Sequence, residues 1–203
     1  MILPTLQFET TLWNLGLNFV CGLDEVGRGC FAGPVVVGAV IFPKNCQLIK
    51  GIADSKLLKP EVRERLSEEI KKCASAWSIA EIDVETINQI GIGKATQLAF
   101  LKAVKSLSIP AEFLLIDAFF IDNLDKRIQK PIIGGDKLCA SISAASIIAK
   151  VYRDELMKKL HDSFPQYGFD QHKGYGTKLH QEAIKKHGLS TLHRTSFNLN
   201  KFL

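Results

Sequence analysis

Residues 19–42 read FVCGLDEVGRGCFAGPVVVGAVIF, and this stretch decides the fold class. Its first part, residues 19–23, is a short apolar run of the kind that forms a buried strand. The triplet Gly27-Arg28-Gly29 interrupts the run. A second apolar run, rich in β-branched residues, extends over residues 35–42 after Gly33-Pro34. The stretch therefore predicts two strands with a glycine-rich turn between them.

The rest of the chain alternates between helical and strand-like patterns. Apolar residues at three- and four-residue steps and terminal proline or charged residues predict helices at residues 58–73, 93–107, 141–160 and 178–187. Short apolar or alternating runs predict further strands at residues 76–82, 113–116 and 131–133. This order indicates an α/β fold, with a mixed β-sheet flanked by helices and a mainly helical C-terminal segment.

The length of 203 residues predicts a single domain. We divide it into a core of about residues 1–165 and a basic helical segment of about residues 166–203. No apolar run approaches the roughly 20 residues of a membrane helix, and the N-terminus lacks the positive cluster of a secretory signal. The five cysteines match no zinc or redox spacing. These features predict a cytoplasmic protein with free thiols.

The net charge is concentrated near the C-terminus. The chain has 26 Lys+Arg against 21 Asp+Glu, a formal net charge of +5. Residues 171–203 contain six basic residues and one acidic residue, Glu182, so the preceding part is neutral overall. This distribution is typical of a protein with a polyanionic partner, although a solvated basic face would give the same pattern.

Four carboxylates at the ends of apolar elements are the candidate catalytic and metal-binding groups. Asp24 and Glu25 follow the first strand, Asp117 follows the strand at residues 113–116, and Asp136 precedes the main helix. Unpaired carboxylates at the mouths of buried strands are costly, and a divalent cation would relieve their repulsion. Because all the candidate ligands are oxygens, the site favours a hard ion, Mg²⁺ or Mn²⁺, over zinc. Such ions suit phosphodiester hydrolysis.

The spacing of these acids requires a bend in the chain. Side chains alternate between the two faces of a strand, so Asp24 and Glu25 cannot both reach one site from a regular strand. We therefore expect the chain to turn directly after Leu23, which Gly27 and Gly29 make feasible.

Other polar and aromatic residues receive structural interpretations. Asp154 lies about 20 Å along the main helix, too far to share a metal pair with Asp136, and is interpreted as a local ion pair with Arg153. Trp13 and Trp77 are expected in the core. Four histidines near the C-terminus match no zinc pattern and are expected on the solvated surface: His172, His180, His187 and His193. The remaining carboxylates that compete for the site are Asp54, Asp122 and Asp125.

Five sequence blocks stand out along the chain. They are DEVGRG (24–29) with GPVV (33–36), DSK (54–56), LIDA (115–118), GDK (135–137) with SAASIIAKVYRD (143–154), and HKGYGT (172–177). These blocks resemble the signatures of ribonuclease HII, the prokaryotic type 2 ribonuclease H, and follow the family's order over about residues 20–197, nearly the whole chain.

The resemblance implies a ribonuclease H-like fold and a two-metal mechanism. Asp24, Glu25, Asp117 and Asp136 match the family's four catalytic acids, and we expect Asp24 to bridge two Mg²⁺ or Mn²⁺ ions. The implied activity is hydrolysis of the RNA strand of RNA–DNA hybrids. It includes nicking on the 5′ side of a single ribonucleotide in duplex DNA, which leaves a 3′-hydroxyl and a 5′-phosphate.

The resemblance also implies substrate contacts. Gly27, Arg28 and Gly29 would bring backbone groups close to the 2′-hydroxyl that distinguishes RNA from DNA, and Arg28 would contact a phosphate or hold a carboxylate. Tyr175 resembles the family tyrosine that packs on the sugar next to the ribonucleotide. Lys56 and Lys173 are interpreted as phosphate contacts. Lys150 is either another such contact or a side chain that extends from its helix to solvent.

Three alternatives remain at this stage. A type III ribonuclease H would cut only long hybrids, and the Gly-Arg-Gly triplet argues against it. A junction resolvase of the same fold would cut an all-DNA substrate. A non-catalytic nucleic-acid-binding protein would be expected to lose at least one of the four acids, and all four are present. We expect a monomer.

Overall fold

A five-stranded mixed sheet forms the centre of the protein in the computed structural model, which describes residues 3–203. The strands are β1 (Val20–Val26), β2 (Val35–Ile41), β3 (Ala76–Ile82), β4 (Phe113–Asp117) and β5 (Gln129–Ile132). Their order across the sheet is β3-β2-β1-β4-β5. The β1–β2 and β2–β3 pairs are antiparallel, whereas β1–β4 and β4–β5 are parallel. The predicted mixed sheet is confirmed.

Helices surround this sheet and form most of the C-terminal part. Those in the described residues are α1 (Gln7–Asn14), α2 (Pro60–Cys73), α3 (Val84–Lys105), α4 (Gly135–Leu138), α5 (Ala140–Ser163), α6 (Phe169–His172) and α7 (Lys178–His187). Short 3₁₀ turns occur at Lys126–Ile128, Pro165–Tyr167 and Asn200–Phe202. Within residues 3–203, no helix is long and apolar enough to span a membrane.

Helix α3 begins earlier than the sequence pattern predicts. Its first turn is capped by the Asp83 side chain, which accepts a hydrogen bond from the Thr86 N–H at 2.8 Å. Gly91, with φ of 79°, bends the helix. The pattern at residues 93–107 therefore describes only the part of α3 that follows this bend.

The sheet separates two apolar layers and thereby orients the first candidate acid. One face packs on α3 and includes Leu23 and Phe100. The other face packs on α5 and α2 and includes Val40. Because side chains alternate along β1, Asp24 points away from the α3 layer and toward α5. Asp24 and Ser146 of α5 accordingly line the same cleft.

Two strand glycines allow α5 to lie directly on the sheet. A Cβ atom at Gly22 would contact the Ser141 backbone, and one at Gly38 would contact the Ala145 carbonyl oxygen. These obstacles are backbone atoms, which cannot move aside as a flexible side chain does. Both glycines are therefore required for the close packing of α5.

We expect Gly38→Ala to lower the free energy of unfolding by about 1–3 kcal/mol, because the added methyl group overpacks the contact between the sheet and α5. Urea denaturation measures the change. The matched control is Gly93→Ala, where a Cβ atom would meet no described atom within 4 Å; in a helix this change should be neutral or stabilising. Equal stability of Gly38→Ala and the unsubstituted protein would contradict the packing argument.

The expected turn directly after Leu23 is wrong. Strand β1 continues to Val26, and β2 pairs with it along this length, with Asp24 opposite Gly38 and Glu25 opposite Val37. The antiparallel ladder supplies hydrogen bonds that keep the acidic residues in the strand. The glycine-rich turn begins only at Gly27, which has φ of 88°.

Several predicted exposures are also wrong. Trp13 is buried as expected, but Trp77 is 39% exposed on β3, where the Lys71 ammonium lies 5.4 Å from its ring centroid. Of the four C-terminal histidines only His187 is exposed. The other three are buried: His172, His180 and His193. Backbone groups of nearby loops satisfy their ring nitrogens, which a surface prediction based on polarity does not anticipate.

The buried histidines give a prediction for acid stability. Burial lowers the pKa of both His180 and His193 to about 4. Between about pH 6.5 and pH 4 the unfolded chain therefore binds protons that the folded chain does not, so the free energy of unfolding falls as the pH falls. Each ring contributes about 2 kcal/mol, so we expect a loss of about 4 kcal/mol from the two together between pH 7 and pH 4.5.

Urea denaturation over this pH range tests the expectation. His193→Asn should flatten the pH dependence, whereas His187→Asn, at the exposed position, should leave it unchanged. An identical pH dependence in all three proteins would show that these rings do not govern acid stability.

Candidate active site

The sheet and α4 bring three of the four candidate acids to one edge. Leu23 pairs with Ile116 across the parallel strands β1 and β4, so Asp24 and Asp117 follow the last paired residues of the two neighbours. Asp117 Oδ1 accepts a hydrogen bond from the Gly135 N–H at 2.7 Å. This bond ties the start of α4, which carries Asp136, to the end of β4.

Asp24 is the central carboxylate of this group. Burial raises its pKa well above the ordinary value, and the charges of Glu25, Asp117 and Asp136 raise it further. The nearby Ser146 side chain lowers the Asp24 pKa, against these larger effects. The negative charge of Asp24 is therefore unfavourable in the protein alone, and a bound cation would offset this cost.

Glu25 extends the negative region. Burial, followed by the charge of Asp117, raises its pKa to about 7, against an opposing effect of Arg28. Its Oε2 atom is buried and has no hydrogen-bond partner within residues 3–203. Burial also raises the pKa of Asp117, against an opposing effect of the Gly135 N–H. An orphaned carboxylate oxygen beside other carboxylates is a suitable ligand for a cation.

The Lys56 side chain supplies a positive charge at the same edge. Its Nζ lies 3.4 Å from Asp136 Oδ2. Burial lowers the Lys56 pKa, but the charges of Asp136, Asp54 and Asp24 outweigh this effect and raise it. Because the Lys56 side chain is 73% exposed, the pair contributes little to stability and remains available to a ligand.

The donor set fits a hard divalent cation, because it consists of carboxylate oxygens and includes the orphaned Glu25 Oε2. Within the described residues, however, no three or more His, Cys, Asp or Glu side chains are arranged so that they could hold a metal ion.

A cleft of about 180 Å³ joins two of the four acids, Asp24 and Glu25, to most of the predicted substrate residues. Its lining residues are Asp24, Glu25, Val26, Gly27, Arg28, Ser55, Lys56, Ser146, Lys150 and Tyr175. Gly29 is exposed next to Arg28. Lys173 lines a neighbouring groove of about 340 Å³, which Lys150 and Tyr175 also border. Catalytic and substrate-binding candidates thus face a common region.

Arg28 has two interactions that bear on its predicted roles. Its guanidinium carbon lies 4.8 Å from the centroid of the Phe119 ring. Its charge lowers the pKa of Glu25, against the larger effect of burial. Arg28 therefore influences a candidate catalytic carboxylate while its side chain is exposed.

Asp154 forms a local ion pair as predicted, but its partner is not Arg153. Asp154 instead contacts Lys150 Nζ at 2.6 Å and Arg63 at 3.4 Å. Lys150 is therefore an ion-pair partner within its own helix. Arg153 points into the protein, since neighbouring helix positions face different directions.

Arg153 holds together the loop that follows β1 and the loop that carries Tyr175. It donates hydrogen bonds to the carbonyl oxygens of Pro34 at 3.0 Å, Ala32 at 3.1 Å and Lys173 at 2.9 Å. A Cβ atom at Gly27 would contact its guanidinium group. Sequence analysis missed this role, although Arg153 follows Ala149 by four residues and so continues the buried stripe of the helix.

Arg194 is a second buried arginine that sequence analysis missed. It donates hydrogen bonds to the Gly33 carbonyl oxygen at 3.0 and 2.8 Å and to the Arg28 carbonyl oxygen at 2.8 Å. Burial lowers its pKa to about 10, so it still carries its charge near neutral pH. The backbone of the Gly27-Arg28-Gly29 turn is thus fixed from the C-terminal part of the chain.

Solved ribonucleases H have the same fold. Ribonuclease H2 from Pyrococcus horikoshii OT3 matches with a TM-score of 0.74 and 25% identity, covering 91% of this chain and 96% of that chain. Bst-RNase HIII, solved in complex with Mn²⁺, matches with a TM-score of 0.72 and 22% identity, covering 94% of this chain and 70% of that chain. The fold and the carboxylate-lined cleft define a nuclease of the ribonuclease H class.

Sequence similarity identifies the family within that class. The family model for ribonuclease HII matches residues 21–200. Ribonuclease HII of Alkaliphilus oremlandii is 45% identical over 207 residues, covering 99% of this chain and all of that protein. Ribonuclease HII of Bacillus cereus is 50% identical over 192 residues, covering 94% of this chain and 73% of that protein. The chain belongs to the ribonuclease HII family and is a ribonuclease H endonuclease.

Proposed function

We propose that this endonuclease hydrolyses the RNA strand of RNA–DNA hybrids and also nicks duplex DNA on the 5′ side of a single embedded ribonucleotide. The products would be a 3′-hydroxyl and a 5′-phosphate. The observation that carries this proposal is the cleft that joins Asp24 and Glu25 to Gly27, Arg28 and Tyr175. The carboxylates that would carry out hydrolysis and the groups that would recognise the sugar therefore line one cleft.

In the proposed mechanism, the four acids bind two divalent cations, Mg²⁺ or Mn²⁺. Asp24 is central because each of the other three acids raises its pKa. When bound, the ions would supply a nucleophilic hydroxide and charge stabilisation of the leaving oxygen. Asp117 is oriented by the Gly135 N–H, and Lys56 lies beside Asp136, where its ammonium can contact a substrate phosphate.

Recognition of the 2′-hydroxyl is assigned to the turn at Gly27, Arg28 and Gly29. Arg194 holds the Arg28 carbonyl oxygen, and Arg153 fills the space next to Gly27. A turn supported from two sides is preorganised, so its backbone groups lose little freedom when they meet a ribose.

Tyr175 is assigned to the sugar that follows the ribonucleotide. The residue is 39% exposed and lines both the cleft and the neighbouring groove. Burial, followed by the effect of Cys30, raises its pKa to about 12, so its hydroxyl stays protonated at neutral pH. Lys173, in the same loop, is assigned to a phosphate. Residues 1–203 would form one catalytic domain, monomeric and cytoplasmic, with residues 166–203 as the substrate-binding segment.

The test uses three duplexes of equal length: DNA with one ribonucleotide, a continuous RNA–DNA hybrid, and DNA alone. We expect Mg²⁺- or Mn²⁺-dependent cutting of the first two, with the nick 5′ of the ribonucleotide, and no cutting in EDTA. Asp117→Asn, which keeps the shape and removes one charge, should abolish both activities.

Other patterns would support the alternatives. Cutting of the hybrid alone would indicate type III specificity and contradict the role of the Gly27-Arg28-Gly29 turn. Cutting of DNA alone would indicate a resolvase-like nuclease. Binding of the duplexes without cutting in either metal would indicate a non-catalytic nucleic-acid-binding protein and overturn the proposal.

A further inference from the structure

Three buried histidines lie behind the loop that carries Tyr175. The rings of His172 and His180 are stacked, with centroids 4.4 Å apart and planes 13° from parallel. His193 is next to His180, with ring centroids 5.2 Å apart. None of the three belongs to the cleft that contains the acids. His172 and His180 instead bind the backbone of the loop, whereas His193 binds Ser190 and the His180 ring.

The hydrogen bonds fix the tautomers of His180 and His193. His180 Nδ1 lies 3.0 Å from the Tyr175 carbonyl oxygen, which can only accept, so Nδ1 carries a proton. His193 Nδ1 accepts the Ser190 N–H at 2.9 Å and therefore has no proton. The two Nε2 atoms lie 3.0 Å apart. Since neutral His193 must carry its proton on Nε2, it donates to His180 Nε2, and both rings are neutral.

His172 holds the other side of the same loop. Its Nε2 lies 2.7 Å from the Tyr167 carbonyl oxygen and must donate to it. Its Nδ1 accepts the Gly174 N–H at 3.2 Å. Neutral imidazoles therefore bind two backbone groups of the loop. His172 accepts the N–H of Gly174, and His180 donates to the carbonyl oxygen of Tyr175.

The rest of the loop is equally constrained. Arg153 binds the Lys173 carbonyl oxygen at 2.9 Å. Gly174 has φ of 83°, and a Cβ atom there would contact the Ala32 carbonyl oxygen. The position of the Tyr175 ring is thus set through its backbone. The Tyr175 N–H donates to the His172 carbonyl oxygen at 2.9 Å, and its carbonyl oxygen accepts both the Thr177 N–H at 2.8 Å and the side-chain hydrogen bond of His180.

We propose that His180 is a positioning residue for Tyr175, and that its Nδ1 hydrogen bond to the Tyr175 carbonyl sets the ring against the sugar that follows the ribonucleotide. His193 fixes the tautomer of His180, and His172 fixes the plane of its ring. This inference rests on the sugar-contact role that the proposed function gives to Tyr175. Its consequence is that His180 governs the preference for a ribonucleotide followed by DNA, because small displacements of a contacting group have large effects on rate.

Two substitutions at one position separate the hydrogen bond from the loss of the ring. The side-chain amide of His180→Asn stands near the position of Nδ1 and can still donate to the Tyr175 carbonyl. The amide of His180→Gln reaches the position of Nε2, so it keeps the contact with His193 and loses the bond to Tyr175. Both variants remove the same stacked ring.

The readout is the ratio of kcat/KM on the single-ribonucleotide duplex to kcat/KM on a continuous hybrid. We expect His180→Gln to lower this ratio about tenfold, toward the value for Tyr175→Ala, and His180→Asn to keep it within about threefold of the unsubstituted protein. A purely structural role would lower both activities equally and leave the ratio unchanged.

An unchanged ratio in His180→Gln would overturn the inference, and so would an equal fall of the ratio in both variants. Failure of the unsubstituted protein to nick the single-ribonucleotide duplex would instead overturn the proposed function. If neither variant folds, ¹⁵N NMR of the unsubstituted protein decides. We expect the Nδ1–H tautomer for His180 and the Nε2–H tautomer for His193, and the opposite assignment would contradict the inference.

Discussion

Asp24→Asn is expected to reduce kcat by about a thousandfold or more on both hybrid and single-ribonucleotide substrates, which corresponds to about 4 kcal/mol of lost transition-state stabilisation. Asp24 is 4% exposed, and the negative charges of Glu25, Asp117 and Asp136 all raise its pKa. Asparagine keeps the shape and can still accept the hydrogen bond from the Glu25 N–H, but it lacks the charge that binds a cation. Steady-state cleavage in saturating Mg²⁺ and in Mn²⁺ measures the effect.

The same substitution should have the opposite effect on stability. Because burial and like charges raise the Asp24 pKa, removal of the charge should raise the melting temperature in EDTA. Mg²⁺ should stabilise the unsubstituted protein more than Asp24→Asn. The control is Asp162→Asn, at an exposed position on α5, which should change neither quantity. A kcat within tenfold of the unsubstituted value would show that Asp24 is not a catalytic residue.

Arg153→Met should lower the free energy of unfolding by about 3–5 kcal/mol. The methionine side chain is of similar length but donates no hydrogen bonds. It would leave the carbonyl oxygens of Ala32, Pro34 and Lys173 without their guanidinium donor in a buried region. An uncompensated buried acceptor is among the few causes of such large losses. Urea denaturation at pH 7 measures the change.

The matched control for this substitution is Arg127→Met. The Arg127 side chain is 90% exposed and pairs with Asp125 at the surface, so its replacement should leave the free energy of unfolding nearly unchanged. Cleavage of the single-ribonucleotide duplex should fall in Arg153→Met even where the protein is fully folded, because the turn at Gly27 and the Tyr175 loop lose their common support. A stability loss below about 1 kcal/mol would show that water replaces the guanidinium without cost.

The elements with regular patterns could be predicted from the sequence. The strand at residues 76–82 and the helix at residues 178–187 have the predicted bounds because their local patterns agree with their tertiary environment. The end of the first strand could not be predicted, since pairing with β2 carries β1 through Asp24 and Glu25. Pairing partners are non-local, and a charged residue in a strand gives no local signal of them.

Some residues of the candidate site could likewise be predicted from the sequence, and others could not. Asp24, Glu25, Gly27, Arg28 and Tyr175 could be selected from the sequence blocks, and the structure brings them to one cleft. Their catalytic and binding roles stay predictions. The supporting residues were missed, because Arg153, Arg194 and the three buried histidines bind carbonyl and amide groups far away in sequence. Their burial depends on contacts between loops, which neither polarity nor periodicity reveals.

The hydrogen bonds of Arg194 have a consequence for biosynthesis. The turn at Gly27 is made early during translation, but the side chain that holds the Arg28 carbonyl is added 166 positions later. A nascent chain can pair β1 with β2 and can present Asp24 long before that point. It should nevertheless lack the ability to distinguish ribose from deoxyribose until residue 194 has left the ribosome. Chains whose translation is stopped before residue 194 and chains stopped after it should therefore differ in substrate selectivity more than in secondary structure.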